Sequence, residues 1–251
     1  MRIIETEVCA YSLESVGIAA DCGATRVELC ASAAEGGTTP SAAAIRMARE
    51  YRNIELSVMI RPRGGDFLYS DTEFGEMKQD IEFARECGAD CVVFGLLTAE
   101  GEIDISRTSE LVRLAHPMEV TFHRAFDVSK NWSRSLEDII TAGCTRILTS
   151  GCRNSAPQGI EIIREMAKQS AGRIEIMAGG GVNPSNARML ATAGVDALHF
   201  SAKATRDSGM EYRSTYVRFS AGGLSDYEIS YADPSFVREM VKKAEILSTT
   251  T

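Results

Sequence analysis

Four times along this chain a helical stretch ends on a glycine and runs, within a few residues, into an apolar segment. The junctions are Asp21-Cys22-Gly23-Ala24, Glu86-Cys87-Gly88-Ala89, Thr141-Ala142-Gly143-Cys144 and Thr192-Ala193-Gly194-Val195. Each puts glycine where the backbone must turn left-handed to leave a helix, a conformation that residues with a Cβ resist. One junction repeated four times is an internal repeat of a helix–strand unit. It restricts the chain to architectures in which helices and parallel strands alternate.

The apolar pattern between the junctions agrees. Strands are expected at Ile3–Cys9, Arg26–Cys30, Glu55–Ile60, Cys91–Leu96, Glu119–Phe122, Arg146–Thr149, Arg173–Met177 and Ala197–Phe200, with stretches of helical spacing between them. Ser12, Ser41, Asp71, Asp104, Ser133 and Asn183 stand at expected helix starts, and Pro184 and Pro234 at first-turn positions. Eight units in 251 residues leave about 31 residues each, the size of a βα repeat. With no break in composition, residues 1–251 read as a single domain, a (βα)8 TIM barrel rather than a doubly wound sheet. A long irregular loop, 203–233, follows strand eight and is expected at the mouth or at a subunit contact, and residues 248–251 read as a frayed tail.

Charge excludes some partners. Lys+Arg 27 against Asp+Glu 35 gives a net charge of −8, which argues against binding nucleic acid through its phosphates. No apolar run approaches a membrane span, and the start, with Glu5 and Glu7, lacks the apolar core of a signal peptide. Seven scattered cysteines then read as reduced thiols of a cytoplasmic protein.

In such a barrel the reactive face is the set of C-terminal strand ends. Alternation in Arg26-Val27-Glu28-Leu29-Cys30 turns Val27 and Leu29 toward the helices and Glu28 and Cys30 inward, and Val8 likewise leaves Glu7 and Cys9 inward. Glu7 and Glu28 are expected as neighbours, and two carboxylates that close stay ionised only beside a cation such as Arg61 or a metal. The bland alternative is an ion-pair network that plugs the barrel. His123, at the end of strand five, is the foremost acid–base candidate, with His199 second. Gly179, Gly180 and Gly181 follow strand seven and, with Ser201, resemble the phosphate cradle that barrels place after strands seven and eight; a tight turn is the competing reading. Arg63, Arg124 and Lys203 add positive charge on this face, which suits a small anionic ligand. Cys9 and Cys30 share parity on adjacent strands, so they are either a pair of soft ligands for Cu(I) or ordinary packing residues.

The segments Glu7-Val8-Cys9, Arg26–Cys30, Glu35-Gly36-Gly37-Thr38-Thr39-Pro40, 59–69, 121–127, 148–152, Gly179–Gly181 and 201–210 together resemble the copper homeostasis protein CutC family. The resemblance implies a cytoplasmic (βα)8 barrel that associates into oligomers, a role in copper homeostasis, and Cu(I) ligands at Cys9 and Cys30. Two other functions stand beside it. One is an enzyme acting on a small phosphorylated or carboxylated metabolite, with Glu7, Glu28, Arg61 and His123 as its catalytic set; the other is a non-catalytic metabolite- or partner-binding barrel. Each cysteine lies two residues beyond a glutamate, and carboxylates raise a thiol's pKa. Weak copper binding is therefore expected unless a cation outweighs them.

Overall fold

A computed structural model describes residues 3–219 and 225–250. Eight strands, β1 (Glu5–Ala10), β2 (Arg26–Leu29), β3 (Glu55–Met59), β4 (Cys91–Phe94), β5 (Glu119–Phe122), β6 (Arg146–Thr149), β7 (Glu175–Ala178) and β8 (Ala197–Phe200), close in sequence order into a barrel, with every pair parallel. The helices between and after them are α1 (Leu13–Asp21), α2 (Ala42–Ala48), α3 (Asp71–Glu86), α4 (Ile105–Ala115), α5 (Trp132–Ala142), α6 (Ile160–Ser170), α7 (Ala187–Thr192) and α8 (Pro234–Thr250). The four junction glycines, Gly23, Gly88, Gly143 and Gly194, all have positive φ, between 78° and 101°.

Local chemistry sets the helix starts. Ser12, Ser41 and Asp104 cap α1, α2 and α4 by accepting a backbone N–H three residues on. The α3 cap is Ser70 rather than Asp71, because Glu73 reaches back to Ser70 and closes a capping box. Asn131 rather than Ser133 caps α5. Asn183 closes a turn by accepting from Ser185 N, so α7 begins only at Ala187. At the chain's end α8 runs on to Thr250, and Ser248 Oγ accepts from Ile4 N at 2.8 Å, which ties down most of the expected tail; Thr251 lies outside the described residues.

The segment after β8 is not all loop. β9 (Lys203–Asp207) pairs antiparallel with β10 (Glu228–Ala232), and residues 220–224 between them lie outside the described residues. Lys203-Ala204-Thr205-Arg206-Asp207 is too polar to read as a strand. It is held instead by Arg206, which pairs with Glu14 and stacks on Tyr231.

Parity divides the core. Val8, Val27 and Leu29 belong to the large apolar cluster between barrel and helices. The interior holds smaller groups: Cys9, Cys30, Met59, Cys91 and Val93 on one side, Leu148, Met177 and Ala197 on the other. Two buried arginines fill the N-terminal end. Arg26 binds Glu5, Glu7 and Glu55, while Arg146 binds Glu119, Glu175 and the Thr121 hydroxyl. An ion-pair plug is thus present, built from Arg26 and Arg146 rather than from Arg61.

Candidate functional site

The strand register changes the partners of the glutamates. Glu7 lies level with Arg26 on β2 and with His199 on β8, whereas Glu28 lies level with Cys9. Glu7 is fully buried; its Oε2 accepts from Arg26 Nε at 2.7 Å, and its Oε1 is 2.7 Å from His199 Nδ1. The other ring nitrogen, Nε2, is 3.8 Å from Glu28 Oε2. The cations that let the glutamates approach are therefore Arg26 and His199. Arg61, expected in that role, donates to the carbonyls of Glu35, Gly37 and Gly65 and lies over the Phe67 ring.

This arrangement sets the protonation states. Burial raises the Glu7 pKa, but the His199 hydrogen bond and the Arg26 charge outweigh it and hold the carboxyl at about 2. Glu28 is pushed well above the usual carboxylate range by burial and by the neighbouring Cys9. Burial disfavours charge on His199, yet the Glu28 charge and hydrogen bonds to Cys9 and Glu7 carry its pKa well above the ordinary value, which favours the imidazolium.

The two thiols differ. Cys30 Sγ lies 3.3 Å from Glu28 Oε2, and ligand atoms of Cys9, Glu28 and Cys30 all fall within 4.8 Å of one another. A hydrogen bond from Cys30 lowers the Cys9 pKa well below that of a free thiol, with His199 assisting against burial. The same hydrogen bond, burial and Glu28 raise that of Cys30. The flanking-glutamate argument thus holds for Cys30 and fails for Cys9, because the Cys30 hydrogen bond, with His199 assisting from β8, outweighs it.

Above this network opens a cavity of about 370 Å³ at the C-terminal end of the barrel. Cys9, Glu28, Arg61, His123, Arg124, Gly180, Gly181, His199 and Ser201 all contribute to its wall. Glu7 lies beneath it, screened by His199. Gly179 supports the wall: a Cβ there would come within 2.5 Å of Leu148 and 3.3 Å of His199. Arg63 faces outward to Glu73 and Asp66, and Lys203 borders a smaller neighbouring pocket with Cys9, Tyr11 and Ser201.

His123 differs from its expected part. Its Nδ1 accepts from Ala125 N at 3.2 Å, so the ring proton sits on Nε2. Burial and the Arg61 charge push its pKa down to about 3, so at neutral pH it is a neutral hydrogen-bond donor rather than an acid. Two contributors escaped sequence reasoning. Tyr11 lines the cavity two residues beyond Cys9, and the parity that marks Glu7 and Cys9 would have marked it too. Asp127 accepts from Thr149 Oγ1, Ser150 N and Cys152 N while orienting Arg124; its spacing of three from Arg124 was the available sign.

These residues lie on segments shared with known proteins. The model of the CutC family matches residues 4–204. The chain belongs to the CutC family. A family protein CutC from Chromobacterium violaceum is 48% identical over 242 residues, covering 95% of this chain and 98% of the relative. The human copper homeostasis protein cutC homolog is 44% identical over 236 residues, 93% of this chain and 86% of its own length. A solved Streptococcus agalactiae structure described as a copper homeostasis protein CutC superposes with a TM-score of 0.75 at 36% identity, covering 79% of this chain and 99% of that one. Membership in the CutC family agrees with the closed eight-stranded barrel, and all the strands that build the cavity fall inside the matched residues. No helix among the described residues is long and apolar enough to cross a membrane.

Proposed function

We propose that this chain serves copper homeostasis in the cytoplasm by holding Cu(I) as cargo between Cys9 and Cys30 at the barrel mouth. The observation that carries the reading is the convergence of the Cys9, Glu28 and Cys30 ligand atoms within 4.8 Å, where a hydrogen bond from Cys30, assisted by His199, draws the Cys9 pKa well below that of a free thiol. Thiolates are the soft donors that select Cu(I), and the copper homeostasis name borne by the human relative is consistent with that donor set. Ligation requires deprotonated sulfur. The lowered pKa of Cys9 favours that state, whereas the raised pKa of Cys30 makes its proton the one the arriving ion must displace. Titration with Cu(I) against a chromogenic chelator near neutral pH should therefore show one ion per chain, release about one proton, and tighten as pH rises. Release of about two protons, or no transfer of copper from the chelator, would sink this account.

Self-association belongs to the same proposal. The strand ribbon after β8 leads into exposed aromatic residues, with Tyr216 at 94% and Phe219 at 91% exposure and Tyr212 and Val217 nearby. An apolar group of that kind on an acidic surface suits a second copy of the chain. Light scattering should return more than one chain per particle, and Tyr216→Glu with Phe219→Glu should shift it toward the monomer. A wild-type monomer at micromolar concentration would contradict it.

A further inference from the structure

The side of the cavity opposite the thiols carries charge and hydrogen-bond donors that copper does not use. Arg61 is 5% exposed, and among the described residues no carboxylate pairs with it; its guanidinium donates to three carbonyl oxygens and lies over the Phe67 ring, and its Nε has no hydrogen-bond partner. A buried cation without a counter-ion is costly to maintain, and an anion entering the cavity would relieve that cost. His123 is in the same position. Its Nε2–H, buried beside the cavity, has no acceptor among the described residues.

Next to His123, Asp127 and Ser150 fix Arg124 from behind: Nε donates to Asp127 Oδ2 at 2.7 Å and Nη2 to Ser150 Oγ at 2.7 Å. That leaves Nη1 beside Gly180, close enough that a Cβ on Gly180 would stand 3.4 Å from it. Gly180 and Gly181 have φ of 89° and 74°, and their carbonyls are engaged by Ala156 N and by the Asn183 and Asn186 side chains. Their amide N–H groups make no hydrogen bond to another described residue, and both residues form the cavity wall with Ser201. Arg124 Nη1, two successive amides and a hydroxyl on one wall are more donors than a carboxylate would engage, and they suit a tetrahedral dianion.

We propose that this side of the cavity binds the phosphate monoester of a small metabolite, its phosphate held by Arg124, Gly180, Gly181 and Ser201 and an oxygen of its carbon skeleton held by His123 and Arg61. A volume of about 370 Å³ accommodates a phosphorylated sugar of three to six carbons. Cys9 lines the same cavity, but none of the residues assigned to the phosphate monoester is a copper ligand in the proposed function.

Thermal unfolding of the full chain should be followed with inorganic phosphate, glycerol 3-phosphate and ribose 5-phosphate, each against its unphosphorylated parent. A phosphorylated probe at a hundredfold excess over its Kd should raise the Tm by roughly 5 °C, while glycerol and ribose leave it unchanged. Arg124→Met should abolish the rise, and Arg63→Met, at a residue turned outward to Glu73 and Asp66, should keep it. Should Arg124→Met fail to fold, amide NMR of the wild-type chain decides: the Gly180 and Gly181 resonances should move on titration. An absent Tm shift with every probe, an equal shift in Arg124→Met, or resonance changes confined elsewhere would overturn the proposal.

Discussion

Arg26→Met should destabilise the barrel by about 3–5 kcal/mol, the cost of removing one partner from a buried ion pair. Arg26 is 1% exposed and is the permanently charged partner of Glu7, which is itself fully buried. Methionine replaces the aliphatic stem but leaves the Glu7 carboxylate with only His199 and the Ser57 hydroxyl at 3.4 Å, and frees Glu5 and Glu55 at the barrel floor. Adding Glu7→Gln should recover much of the loss, since the buried charge goes with its partner. Urea unfolding of the single and double variants checks this, and a single-variant loss below about 1 kcal/mol would show that the plug is only loosely coupled to stability.

Acid should weaken the fold well before the Glu7 carboxylate is protonated. His123 stays neutral in the folded chain down to about pH 3, whereas an unfolded histidine takes up a proton near 6.5. The unfolded state therefore binds more protons throughout that window, and stability falls as pH drops through it. At pH 4 the contribution of this one group is about 3 kcal/mol. Glu7 adds to the loss only below its unfolded value of 4.5, as pH falls toward 2. His199 has the opposite sign: its raised pKa stabilises the fold below 6.5, and that benefit is lost only as pH rises. His123→Asn keeps an acceptor for Ala125 N without the titration, so comparing its urea stability at pH 7 and pH 4 with the wild type isolates the effect. Parallel pH profiles for the two proteins would contradict it.

The features legible in the sequence are those fixed within a few residues. The glycine junctions, the strands Glu119–Phe122, Arg146–Thr149 and Ala197–Phe200, and the inward parity of Glu7, Cys9, Glu28 and Cys30 all depend on local pattern. The stagger between strands does not, because it is set when the barrel closes. Closure places Arg26 level with Glu7 and brings His199, 192 residues away, to its other oxygen. No spacing along the chain announces that contact, so Arg61 looked the nearer cation. Arg61 and Arg63 read alike in Arg61-Pro62-Arg63, yet one turns under the cavity and the other out to Glu73. The neutrality of His123 follows from burial beside Arg61, again a consequence of packing.

In the proposed function, Cys9 and Cys30 hold one Cu(I) at the mouth of this barrel. The most direct measurement is competition for Cu(I) with a chelator of known affinity, run side by side on the wild type, Cys9→Ser and Cys30→Ser, with circular dichroism to show that the barrel survives. Serine keeps the shape of the site and removes the soft donor. The account predicts tight binding at one equivalent in the wild type and its loss in each variant with the fold intact. Copper bound as tightly by both serine variants would place the ion elsewhere and contradict it.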